Sequence, residues 1–274
     1  LDIIFIIALL ITGIGVGLAS GMIGVGGGFI MVPVQFWVLN SMGIDPKISI
    51  MVAFGTNLLT VLTTSMSGAY RHNKKGAVLW KPAVIMGISG GIASAIGANL
   101  ATRLSGDLLA LIFGAVIVLS AIRMLTAKMP KEGENPPEGN APYIIAGFPL
   151  GFLCGLIGIG GGVVMIPVMV YFLKFSMHKA VGTSTGMMIF TSVFAVISYI
   201  YYGLGVTGLP EYSIGYVNLL QYALLIATSV PMAQVGAHLA HKIPAKQLKN
   251  LFIILMIFLG LKMTGVFSWL GLPI

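Results

Sequence analysis

The sequence predicts an all-α integral membrane protein, built as two inverted repeats of five hydrophobic segments each. Three observations carry this expectation. First, of 274 residues 57% are hydrophobic and only 8% are charged, with a mean hydropathy of +1.01. A soluble domain carries roughly 25% charged residues, so a surface this poor in charge faces lipid. Second, one glycine pattern occurs twice. Residues 13–34 read GIGVGLASGMIGVGGGFIMVPV and residues 147–168 read GFPLGFLCGLIGIGGGVVMIPV. At a constant offset Gly13, Gly17, Gly21, Gly24, Gly26, Gly27, Gly28 and Pro33 fall on Gly147, Gly151, Gly155, Gly158, Gly160, Gly161, Gly162 and Pro167. Such self-similarity marks an internal duplication. Matching Gly/Pro-interrupted segments in two halves of an apolar chain point to the binding site of a secondary transporter. Third, the basic residues divide unequally between alternate loops, as the positive-inside rule requires of membrane segments.

The apolar segments run over 2–20, 28–40, 48–70, 77–101, 107–126, 141–157, 161–174, 179–203, 214–240 and 248–270. The opening stretch, LDIIFIIALL, has no basic n-region and no small-residue cleavage site, so it reads as a membrane segment and not a secretory signal. In the first and sixth segments Gly13, Gly17 and Gly21, like Gly147, Gly151 and Gly155, keep i, i+4 spacing. They line one helix face, where small residues let helices pack closely. The second and seventh segments fall short of the roughly 20 residues that a span needs. Each follows a glycine triplet, Gly26, Gly27 and Gly28 or Gly160, Gly161 and Gly162. Each such glycine weakens a helix by about 1 kcal/mol relative to alanine. The pairs 1–2 and 6–7 are therefore expected to be broken helices meeting inside the membrane. Irregular backbone at that depth survives only when buried in protein or lining a cavity. A break also turns backbone N–H groups toward the gap, a setting that favours an anion. The alternative is that these glycines serve packing alone. A dinucleotide or P-loop reading fails, because GMIGVGGG lacks both the G-x-G-x-x-G spacing and the G-K-[ST] ending.

The third and eighth segments carry Thr56 and Asn57 opposite Thr183 and Ser184, with Thr185 adjacent. These uncharged donors either converge near the midplane as a binding site or join helices by hydrogen bonds. Gln35 and Gln234 are weaker members of the same class. In the fourth and ninth segments GANLATRLS at 97–105 matches GAHLAHKIP at 236–244, which pairs Asn99 with His238. In the fifth and tenth AIRML at 121–125 matches GLKMT at 260–264, which pairs Arg123 with Lys262. Ionisable groups within a membrane are functional candidates by default. Lys262, Arg123 and His238 are those candidates here, although Arg123 lies close enough to a segment end to snorkel. His72, His178 and His241 read as loop residues.

The linker KMPKEGENPPEGNAP begins at 128 and is rich in Pro, Gly and Glu, as an exposed flexible connection is. It divides the chain into a first repeat over 1–127, a cytoplasmic linker over 128–141 and a second repeat over 142–274. Five is odd, so the second repeat enters the membrane in the opposite sense. Arg71, Lys74, Lys75, Lys81, Arg123, Lys128, Lys131, Lys174, Lys179, Lys242, Lys246 and Lys249 then share one side, against Lys47 and Arg103 on the other. The first side is cytoplasmic and both termini are external. The formal net charge of +8 is thus a topology signal and not a nucleic-acid footprint.

Absences narrow the function. All carboxylates, Asp2, Asp45, Asp107, Glu132, Glu134, Glu138 and Glu211, fall in loops or at segment ends. A carboxylate proton relay or an acidic cation site is not expected. No His/Cys/acid cluster has metal-ligand spacing, no catalytic triad or G-x-S-x-G elbow appears, and no cofactor motif is present. The lone Cys154, opposite Ser20, reads as a packing residue and cannot form an intrachain disulfide. The chain is not expected to be an enzyme.

GLIGIGGGVVMIPV followed by HKAVGTSTGMMIF resembles the TauE/SafE sulfite exporter family, also called the four-toluene sulfonate uptake permease family. The first copy, GMIGVGGGFIMVPV with AFGTNLL, fits that family's duplicated form. The resemblance implies a multi-pass prokaryotic inner-membrane carrier for a small sulfur-containing anion, sulfite or an organosulfonate such as sulfoacetate. Export is implied by the resemblance alone. Substrate contacts are expected from the two triplets, Thr56, Asn57, Thr183 and Ser184, with Lys262, Arg123 or His238 adding charge. An anion channel is the alternative. A proton or sodium is open as coupling ion, and a homodimer as assembly.

Overall fold

The computed structural model describes residues 3–23, 27–126, 137–160, 162–239 and 245–266. Ten helices fill these residues: α1 (Ile3–Ile23), α2 (Gly28–Ser41), α3 (Pro46–Lys74), α4 (Trp80–Arg103), α5 (Gly106–Thr126), α6 (Ala141–Ile157), α7 (Gly162–Tyr171), α8 (Met177–Gly203), α9 (Leu219–Leu239) and α10 (Ala245–Met263). Each expected segment overlaps one of them. The ninth segment is shorter than expected. Its first residues instead form a hairpin of β1 (Ser213–Ile214) and β2 (Val217–Asn218), with Ser213 opposite Asn218. The positive φ of Gly215 lets the chain reverse there. Most of the expected linker lies outside the described residues. Its end, 137–140, leads into α6, where the Tyr143 hydroxyl donates to the Pro137 carbonyl at 2.8 Å.

Four helices are long and apolar enough to cross a membrane among the described residues: Pro46–Lys74, Trp80–Arg103, Gly106–Arg123 and His178–Gly203. Shorter apolar helices cover Ile3–Leu18, Gly28–Ser41, Ala141–Ile157 and Leu219–Val235. Large apolar side chains stand outward, among them Ile145 at 72% and Phe172 at 74% exposure. Water would penalise that display, and hydrocarbon does not. The molecule is a multi-pass membrane protein. Pro33, Pro149 and Pro231 sit inside α2, α6 and α9, a placement that neighbouring helices make tolerable at membrane depth. The start of α3 is fixed by Asp45, whose carboxylate accepts from Lys47 N at 2.8 Å and Ile48 N at 3.3 Å, with Pro46 in the first turn. His72 and His178 belong to helix ends, in the last turn of α3 and the first of α8, and not to loops; His241 lies outside the described residues.

The glycine stripes explain how the helices pair. A Cβ on Gly147, Gly151 or Gly155 of α6 would collide with Ser89, Gly90 or Ser94 of α4. A Cβ on Gly13 or Gly17 of α1 would collide with Thr228 or Ser229 of α9. So α6 lies against α4 and α1 against α9, with backbones at a separation that only glycine permits. The first helix of each half rests on the fourth helix of the other. Between these pairs α3 packs on α8 and α5 on α10. The core follows the same centre line, with Phe29, Phe54, Phe113 and Tyr199 fully buried and the Phe54 and Phe113 rings stacked 6.0 Å apart.

Candidate functional site

Both helix pairs expected to break do break at their glycine runs. α1 ends at Ile23 and α2 begins at Gly28, behind Gly27 in the left-handed region at φ 71°. α6 ends at Ile157 and α7 begins at Gly162, with Gly158 at φ 62° and Gly160 at φ 75° between them. Those conformations suit glycine and few other residues. Gly26 and Gly161 lie outside the described residues.

The two breaks meet. A Cβ on Gly28 would strike both the Ile159 carbonyl and the side-chain nitrogen of Asn57. Asn57 Nδ2 donates to the Gly158 carbonyl, across the two halves of the chain. Phe54 and Val61, one helical turn either side of Asn57 on the same face of α3, back onto Gly158 and Gly160. Gly28, Asn57 and the stretch 157–160 are all buried. At this junction α2 and α7 both start, so two helix N-termini, one from each half, are brought close to Asn57. Backbone N–H groups and helix dipoles there favour negative charge. Among the described residues no acidic or basic side chain is buried, so no fixed carboxylate opposes an anion.

Thr56 and Thr183 each accept a hydrogen bond at a helix start. Thr56 Oγ1 accepts from Asn218 N at 2.8 Å, immediately before α9, and Thr183 Oγ1 accepts from Leu79 N at 3.1 Å, immediately before α4. Leu79 and Asn218 stand at the offset that aligns Gly97 with Gly236, so the two bonds are counterparts. Each ties the third helix of one half to the entry of the fourth helix of the other, and each satisfies an N–H otherwise orphaned at a helix start. Their neighbours Gly55 and Gly182 pack on the carbonyls of Tyr216 and Ala77 in the same paired manner. Ser184 is buried and its hydroxyl donates to the Val181 carbonyl at 2.8 Å.

The charged candidates are elsewhere. Lys262 is exposed in the last turn of α10. Arg123 is exposed near the end of α5. It borders an apolar groove of about 290 Å³ against Leu153, Val164 and Phe172. That groove adjoins a second of about 490 Å³ between α6 and α7. The second has a wholly apolar lining, and the first is apolar apart from Ser120 and Arg123. The side chain of His238 lies outside the described residues. Gln234 is exposed, whereas Gln35 is fully buried and neither of its amide atoms has a partner. Gly158 and Ile159, whose carbonyls face Asn57 and Gly28, were not among the expected substrate contacts. The repeat places Gly158 opposite Gly24, but only tertiary structure reveals that the backbone beside it becomes the contact. No group of three His, Cys, Asp or Glu side chains among the described residues is placed to hold a metal. Cys154 is buried within α6.

Comparison with known proteins finds membrane transporters. A family model described as Sulfite exporter TauE/SafE matches residues 9–263. A probable membrane transporter protein of Methanocaldococcus jannaschii is 29% identical over 93% of this chain and 94% of its own length. One from Haemophilus influenzae is 27% identical over 94% of this chain and 98% of its own. One from Bacillus subtilis is 25% identical over 96% and 99%. No solved structure matches the chain.

Proposed function

Because the chain belongs to the TauE/SafE sulfite exporter family, we propose that it is a secondary active transporter that exports a small sulfur-containing anion, sulfite or an organosulfonate, across a prokaryotic inner membrane. The observation that carries the reading is the meeting of two helix breaks, one from each half, around Asn57. Discontinuous helices whose N-termini face an anionic group near the midplane are a recurring transporter site. The cargo binds between α2 and α7, with Gly27, Gly28, Asn57 and Gly162 lining it. The halves are inverted repeats, both termini are external, and transport proceeds by one half rocking against the other. Supporting this is the exchange of contacts between halves: α1 with α9 answers α6 with α4, and Thr56 with Asn218 answers Thr183 with Leu79. A carrier fits better than an anion channel, because Asn57 and Gly28 are buried and a conducting pore stays open to water.

The test is saturable binding of sulfite and of sulfoacetate to purified protein and to Asn57→Ala, with citrate and a primary amine as controls. One sulfur anion should bind, and Asn57→Ala should weaken it by about tenfold or more, as loss of a buried hydrogen-bonding group does. Binding of neither sulfur anion to folded protein would remove the substrate assignment.

A further inference from the structure

Asn57 bears on the form in which the cargo travels, an inference that rests on the transport reading above. Its Nδ2 is committed to the Gly158 carbonyl, which fixes the orientation of the carboxamide. The other arm, Oδ1, is sealed from solvent and has no hydrogen-bond partner. Buried acceptors are nearly always satisfied, so this oxygen marks a place where a donor sits during the working cycle. A fully ionised oxyanion brings acceptors only and would set its oxygens against Oδ1. A singly protonated one brings both what the helix N-termini hold and what Oδ1 lacks.

We propose that the junction takes its cargo as hydrogensulfite, whose own O–H donates to Asn57 Oδ1 while the N-terminal N–H groups of α2 and α7 hold its negative oxygens. The proton crosses with the cargo. Each hydrogensulfite carries one proton and one negative charge, and it ionises in water on the far side. No side chain at the junction has to take up that proton, and among the described residues none is placed to do so. α2 has no titratable side chain. α5 has Asp107 and Arg123 near its ends. α8 has His178 and Lys179 in its first turn and Tyr199 against Gly155. α9 offers Tyr222, bonded to Thr63, α6 the thiol of Cys154, and the hairpin Tyr216.

The experiment uses the full chain in liposomes and follows sulfite entry from mildly acid to mildly alkaline pH, with methanesulfonate as competitor. Methanesulfonate shares the negative oxygens and lacks the O–H. A site built to bond a substrate hydroxyl rejects the analogue without it. Apparent affinity for total sulfite should fall about tenfold per pH unit above the ionisation of hydrogensulfite, and methanesulfonate should compete at least about tenfold more weakly. Affinity for total sulfite that does not change with pH, or equal competition by methanesulfonate, would overturn the inference and leave the transport reading standing. Sodium dependence without pH dependence would overturn it too. If neither anion crosses, both readings fall. Asn57→Ser, which installs the counterpart Ser184 residue type, should flatten the pH profile. The wild-type profile decides the matter even where that variant folds poorly.

Discussion

Asn57 donates with one arm and leaves the other empty, and Gln35 goes further by leaving both empty. On α2, Gln35 stands seven residues beyond Gly28, close to two helical turns, so the two share a face. A buried polar group without a partner costs about 1–3 kcal/mol. Gln35→Leu, of similar volume, should therefore raise the thermal midpoint in detergent. It should also slow transport, because Gln35 lies in line with the junction. A fall in thermal stability would show that Gln35 is satisfied after all. Residue types were legible in the sequence: Asn57, Thr56 and Thr183 stood out as polar groups in apolar surroundings. Their division of labour was not. Whether a threonine bonds to a helix start depends on where Asn218 and Leu79 come to rest, residues more than one hundred positions away along the chain.

At the scale of the element, glycine position decides stability. Gly15 and Gly17 are neighbours on α1, yet a Cβ on Gly15 meets nothing within 4 Å while one on Gly17 strikes Ser229 of α9. Gly15→Ala should leave stability unchanged or raise it by about 1 kcal/mol through helix propensity. Gly17→Ala should lower it by about 1–3 kcal/mol through overpacking. Thermal unfolding of the two variants side by side tests the α1–α9 pairing, and equal effects would refute it. The stripes were legible because i, i+4 spacing puts them on one face. So were the breaks, since three successive glycines cannot sustain a helix of this kind. The hairpin at Ser213–Asn218 was not, because YSIGYVN carries an apolar content that reads as a membrane segment until Gly215 turns the chain.

For the whole molecule, the charge asymmetry predicts where each loop lies. Lys47→Cys should react with an impermeant thiol reagent from outside intact cells, and Lys75→Cys only after the membrane is opened. The background is clean because the one native thiol, Cys154, is buried. Labelling in the opposite sense would invert the topology. Which helices touch could not be read from either repeat alone. A stripe of glycines states that some helix lies close, and both α4 and α9 have small residues at the matching positions, so either was a candidate partner for α1 and for α6.

The crossed pairing also sets a timetable. α1 is synthesised well before α9, the surface its glycines need. Throughout most of synthesis the first half therefore waits in the bilayer with its closest-packing face uncovered. Assembly is a late event that follows completion of the chain, and two halves expressed as separate polypeptides should find each other, whereas either alone should be degraded.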